Sequence, residues 1–411
     1  MANTINTLKN APGVIAKLAA KMLADKTQFC KSIDKADESD FGGMNGYNAG
    51  DTIYINRPAR FVPSSTADIT GAIQNVTEEK VALALNVRRV VPIALTSQEI
   101  ATDLALKSWA KRILEPAVSS IAQYVENQFL TQAEQSIYQI VGTAGSTVFD
   151  TDLSLSAGQK INEQGCPDLD NRFSLLAPGA MRSAVNARKG LFQRSDAIAD
   201  QYSKGYIGTA DGFDYITNNL LYSQTTGTRT GSHTVTTTVS TEGATTIAIT
   251  GTGTQTIAKG DVFTIAGVYD VHPITKATLP NLKQFVATAT ATAVAGAYTV
   301  SISPAIYTSA STSLQNVSQF PTSTSVVTFL TGSASTTYQN SLYYHKSAFR
   351  MASVPLVMPD GLDMAAQETV DGMTIRVIRD YNVLTDQLIL RLDFLGGLAT
   401  VRPEWAVRAT A

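Results

Sequence analysis

Cysteine is nearly absent: Cys30 and Cys166 are the only two in 411 residues. They lie far apart, and neither sits in a CxxC or Cys/His ligand pattern. That excludes a disulfide framework and a thiolate zinc site, and it leads us to expect two buried free thiols in a reducing compartment. Histidine is as scarce, with only His233, His272 and His345. None has a second His at i+4 or a carboxylate at ligand spacing, which removes the imidazole zinc patterns. Charge is low, at 16% of residues against a usual quarter, and the formal net charge is −2. No Lys/Arg block occurs, so there is no electrostatic footprint for nucleic acid. Long apolar runs are also missing. Nothing approaches the ~18 residues of a membrane span, and "MANTINTLKNAPGVIAKLAAK" lacks the basic segment and apolar core of a signal peptide.

Catalytic signatures are missing too. There is no GxSxG, no P-loop and no GxGxxG following a strand. "DLDNR" (Asp168–Arg172) alternates acids but lacks the glycine and distal Glu of a calcium loop, and reads as a solvated turn. His345 in "YYHKSAF" reads as a structural residue. We therefore nominate no catalytic, cofactor-binding or metal-ligating residue.

What remains is an ordinary hydrophobic content of 44%, enough for a sizeable core, in a chain long enough for two or three domains. Low charge with abundant Thr, Ala and Gly fits a protein that hides much of its surface against partners. It also fits some secreted β-proteins.

Residues 1–40 read as an arm. Pro12 can occupy a first helical turn. Ile15, Leu18, Met22 and Phe29 fall at helical spacing, a stripe that packs either on its own domain or on a neighbouring subunit. Residues 41–96 read as a projecting hairpin. "DTIYINRPARF" is an extended run that Pro58 ends, and "EKVALALNVRRVV" returns with Val81, Leu83, Leu85 and Val87 on one face. About twenty weakly structured residues between them mark a functional loop. "TSQE" (Thr96–Glu99) has capping-box spacing before a helical run. Pro116 breaks that run or opens a new helix. From there Val118, Ile121, Val125, Phe129, Ala133 and Ile137 form one stripe of a long helix, of roughly twenty-four residues at 1.5 Å each, that Gly142 and Gly145 terminate.

Residues 150–222 read as mixed α/β, with a strand, a turn at Pro178–Gly179 and a helix in "FSLLAPGAMRSAVNARKGLF". The stretch Ser223–Asn340 is different. Its charges are confined to Arg229, Glu242, Lys259, Asp261, Asp270, Lys276 and Lys283, and Gly and Pro turns separate runs such as Thr245–Ile249, Val262–Ile265 and Tyr298–Ile302. It is too long and too regularly alternating for a linker, so we read it as an inserted all-β barrel or sandwich. "NSLYYHKSAFRMASVPL" then reads as strand–helix–strand. "MTIRVIRDYN" and "DQLILRLDFLGGLATVRPEWAVRA" read as strands, the last pair joined at Gly396–Gly397.

This order of parts resembles the major capsid protein of tailed bacteriophages, the Hong Kong ninety-seven type fold. The insert resembles the I-domain of podovirus coat proteins of the Salmonella-phage type. The segments carrying the resemblance are "GDTIYINRPARF", "GDVFTIAGVYDVHPITK", "LKQFVATATAT", "YHKSAFRMASVPL" and "LRLDFLGGLATVRPEWAVR". The implied fold class is α+β. Its parts are an N-arm (1–40), an E-loop hairpin (41–96), a P-domain with a long spine helix (97–160) and an α/β A-domain (161–222). The inserted all-β barrel (223–340), the A-domain return (341–375) and the C-terminal P-domain strands (376–411) follow.

The resemblance implies self-assembly into an icosahedral head shell enclosing double-stranded DNA, without specific binding of that DNA. It further implies hexameric and pentameric capsomers, scaffolding protein and portal as partners, assembly in the host bacterial cytoplasm, and no cofactor, catalysis or membrane. Candidate subunit-interface residues are Ile15, Leu18, Met22, Arg57, Arg60, Arg88 and Arg89. The alternatives are a β-rich phage tail or adhesin protein, an enzyme with a β-rich accessory domain, and an encapsulin-like bacterial compartment shell.

Overall fold

The computed structural model describes residues 12–35, 50–58, 61, 70, 73, 79–96, 113–145, 149–166, 170–188, 207–309, 314–359, 361–362, 364–383 and 387–410. The chain divides into two compact units: Met1–Ile55 with Ala82–Phe129 and Arg350–Ala399, and Asn56–Val81 with Leu130–Phe349 and Thr400–Ala411.

The first unit is built on a six-stranded sheet. Its spatial order is Asp34–Lys35, Phe349–Ser353, Gln387–Thr400, Met373–Asn382 and Met364–Val370, with Val87–Thr96 also pairing Gln387–Thr400. Helix α1 (Pro12–Lys26) lies on Met364–Val370 and Met373–Asn382. The face it buries is Ala16, Ala19, Ala20, Leu23 and Ala24, an i, i+3, i+4 pattern made mostly of alanine. Small side chains let the helix backbone approach the sheet closely. The arm thus covers its own sheet through a face that a count of large apolar residues overlooks. Ile15 and Met22 are only half-buried and Leu18 is 39% exposed. After Thr27 the short helix α2 (Gln28–Ser32) opens against Glu126, whose Oε1 accepts from Gln28 N (3.0 Å) and Phe29 N (2.7 Å). Those amides have no partner inside their own helix, so a buried carboxylate is stabilised there.

The long helix α3 (Glu115–Ser136) begins with Pro116 in its first turn, where a missing N–H costs nothing. Val118, Ile121, Val125, Phe129, Ala133 and Ile137 are all buried. The helix stops at Ser136, earlier than Gly142, because a short strand Ile140–Val141 intervenes. Of the helical run proposed after Thr96, only Thr96, which ends a strand, and the stretch from Ile113, which leads directly into α3, lie among the described residues.

Two further expectations change. "EKVALALNVRRVV" is not one strand but two, Glu79–Ala84 and Val87–Thr96, broken at Leu85–Asn86. Gly396–Gly397 is no turn: Gln387–Thr400 runs through both as a single 14-residue strand. A Cβ on Gly397 would meet the Ala84 carbonyl oxygen at 2.2 Å, and one on Gly396 would meet the Ala352 carbonyl oxygen at 2.9 Å. The glycines are there for close backbone approach.

The second unit has its own six-stranded mixed sheet, ordered Ile140–Val141, Ala406–Ala409, Ser341–His345, Arg172–Leu176, Phe213–Thr217 and Thr209–Ala210. Helix α4 (Thr151–Glu163), N-capped by Asp150 through a 2.9 Å bond from Leu153 N, and helix α5 (Pro178–Arg188) share its core with Phe213, Tyr215, Tyr343 and Val407. The helix expected after His345 is a single 3₁₀ turn, Lys346–Ala348.

The threonine-rich insert is a closed six-stranded antiparallel barrel. Around it run His233–Val235, Ala244–Thr250, Ala297–Ile306, Thr278–Ala287, Val262–Val271 and Val326–Phe329. Ile247, Ile249, Phe263, Ile265, Phe285, Tyr298, Val300 and Ile302 fill its interior. The alternate positions carry threonines that suit a pleated, half-buried surface. Some of them pair by hydroxyl, such as Thr236 with Thr250 at 2.6 Å. Closure removes sheet edges, so the barrel needs few charges to discourage edge pairing. The chain enters and leaves through a two-stranded neck, Ser223–Thr225 paired antiparallel with Thr337–Gln339.

Candidate assembly site

Within the segment expected to form a hairpin, Thr52–Arg57 pairs with Glu79–Ala84 as a two-stranded ribbon. Such a ribbon is marginal in water without something to cover it, and Tyr54 is 66% exposed on it. Arg57, expected at a subunit interface, has carboxylate partners inside its own unit. Its Nη1 donates to Glu79 Oε2 at 2.7 Å, and its Nη2 donates to Glu404 Oε1 and Oε2 at 2.9 and 3.1 Å. The ribbon's base is therefore tied to the C-terminal segment by a charge-assisted fork. Arg57→Ala should lower the melting free energy of the unassembled subunit by about 1–3 kcal/mol. Unchanged melting together with lost shell yield would return Arg57 to the interface.

Arg89 is also engaged in its own unit. Its guanidinium carbon lies 3.6 Å from the Tyr124 ring centroid, and Nη2 donates to the Tyr124 hydroxyl. Arg88 is exposed. Arg60 lies outside the described residues. Arg88 and the Ile15, Leu18, Met22 shoulder of α1 retain exposed surface, while Arg57 and Arg89 have partners within their own units.

The more elaborate polar chemistry lies where the barrel meets the rest of its unit, and Arg229, Asp261, Asp270 and Lys283 of the insert's charges gather there. Arg229, Asp261 and Lys283 are buried. Asp261 accepts from Gly227 N (3.1 Å), Ala258 N (3.0 Å) and Thr331 Oγ1 (3.1 Å), and pairs with Arg229 Nε at 3.5 Å. Lys283 Nζ donates to Asp270 Oδ1 at 2.9 Å, and Gln164 of the α4 C-terminus donates to Asp270 Oδ2 at 2.8 Å. Burial alone would lower the Lys283 ammonium, but Asp270 and Tyr138 beside it hold it above its ordinary value. Gln284 acts as a piece of β-ladder. Its Oε1 accepts from Ile140 N at 2.8 Å and its Nε2 donates to Ile140 O at 3.1 Å, closing the edge of Ile140–Val141.

Arg408 and Glu134 complete the joint, and both are fully buried. Arg408 Nη1 donates to Gly260 O of the barrel at 2.8 Å, and Nη2 donates to Ile137 O just past α3 at 2.7 Å. Glu134 Oε1 accepts from Asn340 Nδ2 at 2.5 Å, where the chain returns from the neck. Burial pushes the Glu134 carboxyl up to about 8, although Arg408 and Asn340 pull it down. Burial lowers Arg408 to about 10. The sequence reading missed both residues. The signals were a glutamate one turn beyond Leu130 on the buried face of α3, and an arginine inside the apolar run "AVRA".

Elsewhere the polar groups are structural. Buried His345 accepts from Ser347 N at Nδ1 (3.2 Å) and stands edge-on to Trp405. Buried His233 packs against Tyr298 and Phe329, and burial lowers its pKa. Arg188, Ser154, Tyr215 and Tyr343 form one buried network of hydroxyls and a guanidinium paired with Asp211. Among the described residues no three of His, Cys, Asp or Glu come together in a way that could hold a metal ion. Cys30 is buried, with its thiol pushed up by that burial, whereas Cys166 is only half-buried, short of the expectation for it. No described helix is long and apolar enough to cross a membrane.

A search of curated proteins returned no match. Among solved structures, the chain is similar to one from Mycobacterium phage Che8, with 10% identity, 93% of this chain and 90% of that chain covered, and a TM-score of 0.46. It is also similar to the capsid of the cyanophage P-SCSP1u, with 11% identity, coverage of 92% and 89%, and a TM-score of 0.45. The CUS-3 coat protein I-domain matches at 28% identity over 25% of this chain and 98% of that one, with a TM-score of 0.20. The model of the family described as "P22 coat protein - gene protein 5" matches residues 43–408. With nearly the whole chain inside that match, this protein belongs to the P22 coat protein family and is a major capsid protein, a subunit of a phage head shell.

Proposed function

We propose that the shell is closed and icosahedral, built from hexameric and pentameric capsomers, and that it encloses double-stranded DNA without gripping it. The observation that carries this reading is the ribbon Thr52–Arg57 with Glu79–Ala84. It is anchored at its base by Arg57 and buries Ile55 and Leu83 on one face, yet exposes Tyr54 on the other. A second copy of the chain covers the face that Tyr54 leaves exposed. The exposed shoulder of α1 at Leu18 and the exposed Arg88 add contacts to neighbouring subunits. Repeated symmetric contacts of this kind are each modest and sum over a shell. A near-neutral subunit suits a container whose contents must leave it again. A scaffolding protein and a portal are its assembly partners in the bacterial cytoplasm, and the subunit performs no catalysis.

Sedimentation of the purified chain, alone and co-expressed with a scaffolding protein, tests this reading. The expected result is capsomers, tubes or closed particles, visible by negative stain. A strictly monomeric chain under both conditions, with turnover of some substrate, would overturn it.

A further inference from the structure

The joint around Arg408 holds two unmatched atoms. Glu134 has one oxygen bonded to Asn340 while Oε2 has no partner, and Arg408 has both terminal nitrogens bonded to carbonyls while Nε has none. The titratable groups facing Arg408 besides Glu134 are Asp261 from the barrel side, itself paired with Arg229, and Tyr222 at the entry to the neck. Asp261 is already saturated by Gly227, Ala258, Thr331 and Arg229. Arg408 is the cation within electrostatic reach of Glu134.

We propose that Glu134 and the barrel carbonyl of Gly260 compete for Arg408, so that the protonation state of Glu134 sets how firmly the inserted barrel is held on the rest of its unit. A neutral Glu134 makes no demand for a cation, and the guanidinium stays bonded to Gly260 O and Ile137 O. Ionisation, with the proton going to solvent, leaves a carboxylate in a desolvated site with one donor. A carboxylate takes a guanidinium edge-on through two N–H groups. Using the free Nε with a neighbouring nitrogen turns the fork away from its carbonyls. Gly260 O is then a buried acceptor without a donor, a state that draws in water or parts the surfaces.

The sign follows from burial. The carboxyl of Glu134 is raised from 4.5 to about 8 in the folded unit. Its contribution is therefore complete below the ordinary carboxylate range and is lost as pH rises through about 8. The closed joint weakens towards alkaline pH. Asn340 is on the exit of the neck, so the loosening is felt first in the two segments that tether the barrel, 218–232 and 331–340.

Amide hydrogen exchange on the full chain tests this. The variant Glu134→Gln keeps the bond to Asn340 and cannot ionise. Wild type and variant are compared at the same pH, so the intrinsic pH dependence of exchange cancels. We expect the tether segments of wild type to exchange about tenfold faster than those of the variant near pH 9, and the difference to vanish near pH 4, below the ordinary carboxylate range. Protection should persist at Val262–Ile265 and Phe285–Ala287 inside the barrel. If Glu134→Gln does not fold, the ratio of tether to barrel-core exchange in wild type at the two pH values serves the same comparison, since both segments share the intrinsic pH dependence. Equal exchange of wild type and variant at both pH values would overturn the proposal. So would loss of protection in the barrel core in step with the tethers, because that reports unfolding rather than an opening joint.

Discussion

Arg408→Ala is expected to cost the subunit about 3–5 kcal/mol. That follows from two charge-assisted hydrogen bonds at about 1.5–3 kcal/mol each, partly offset by no longer burying a cation. The side chain is fully buried, so its removal also leaves a cavity, and the carbonyls of Gly260 and Ile137 lose their donor together. Trp405 provides a local readout, because its ring lies under the Arg402 guanidinium at 4.4 Å and edge-on to His345 within the same unit. Denaturant unfolding followed by tryptophan emission should show the midpoint falling steeply. Arg408→Met should recover only part of the loss, since it fills the space but leaves both carbonyls unmatched. A loss below about 1 kcal/mol would mean that water reaches this guanidinium in solution.

Residues 223–340 expressed alone should fold as an all-β domain with dispersed amide signals. The barrel closes on itself, its interior residues come from its own strands, and the neck pairs its two ends. Asp261 keeps Arg229, Thr331, Gly227 and Ala258 as partners, all inside the fragment. Isolation does uncover Val262 and Val286, which cluster with Tyr138 and Ile140 in the whole chain. Exposing two valines costs at most about 3–6 kcal/mol, so the fragment should melt below the intact unit while remaining folded. Phe263→Ala in the fragment removes a fully buried ring and about 3–5 kcal/mol, enough to unfold it. A collapsed spectrum of the unmutated fragment would show that the joint is a condition of the barrel's folding.

Local patterns carried much of the architecture. The stripe from Val118 to Ile137 announced α3, because a helix that buries one face repeats its apolar residues every three or four positions. The runs Thr245–Ile249, Val262–Ile265 and Tyr298–Ile302 fell inside barrel strands, because a strand with one buried face alternates. Pro12, Pro58 and Pro116 marked helix starts or a strand end through their missing N–H, whereas Pro178, read as part of a turn, opens α5 directly. The order of these parts carried the capsid reading as well.

What the pattern did not contain was the identity of each partner. Glu134 meets Asn340 across 206 positions, Arg408 meets Ile137 across 271, and Arg57 meets Glu404 across 347. Periodicity reports that a face is buried and says nothing of what buries it. Arg57 therefore looked like a surface charge, and Gly396–Gly397 looked like a turn. The alanine face of α1 was passed over for its larger Ile15, Leu18 and Met22. The amino-acid sequence by itself determined most of the elements, the all-β character of the insert and the family of shell proteins; that the insert closes into a barrel came from the structure. Only the tertiary structure decided which charges are buried, because desolvation and hydrogen-bond partners exist only once distant segments meet.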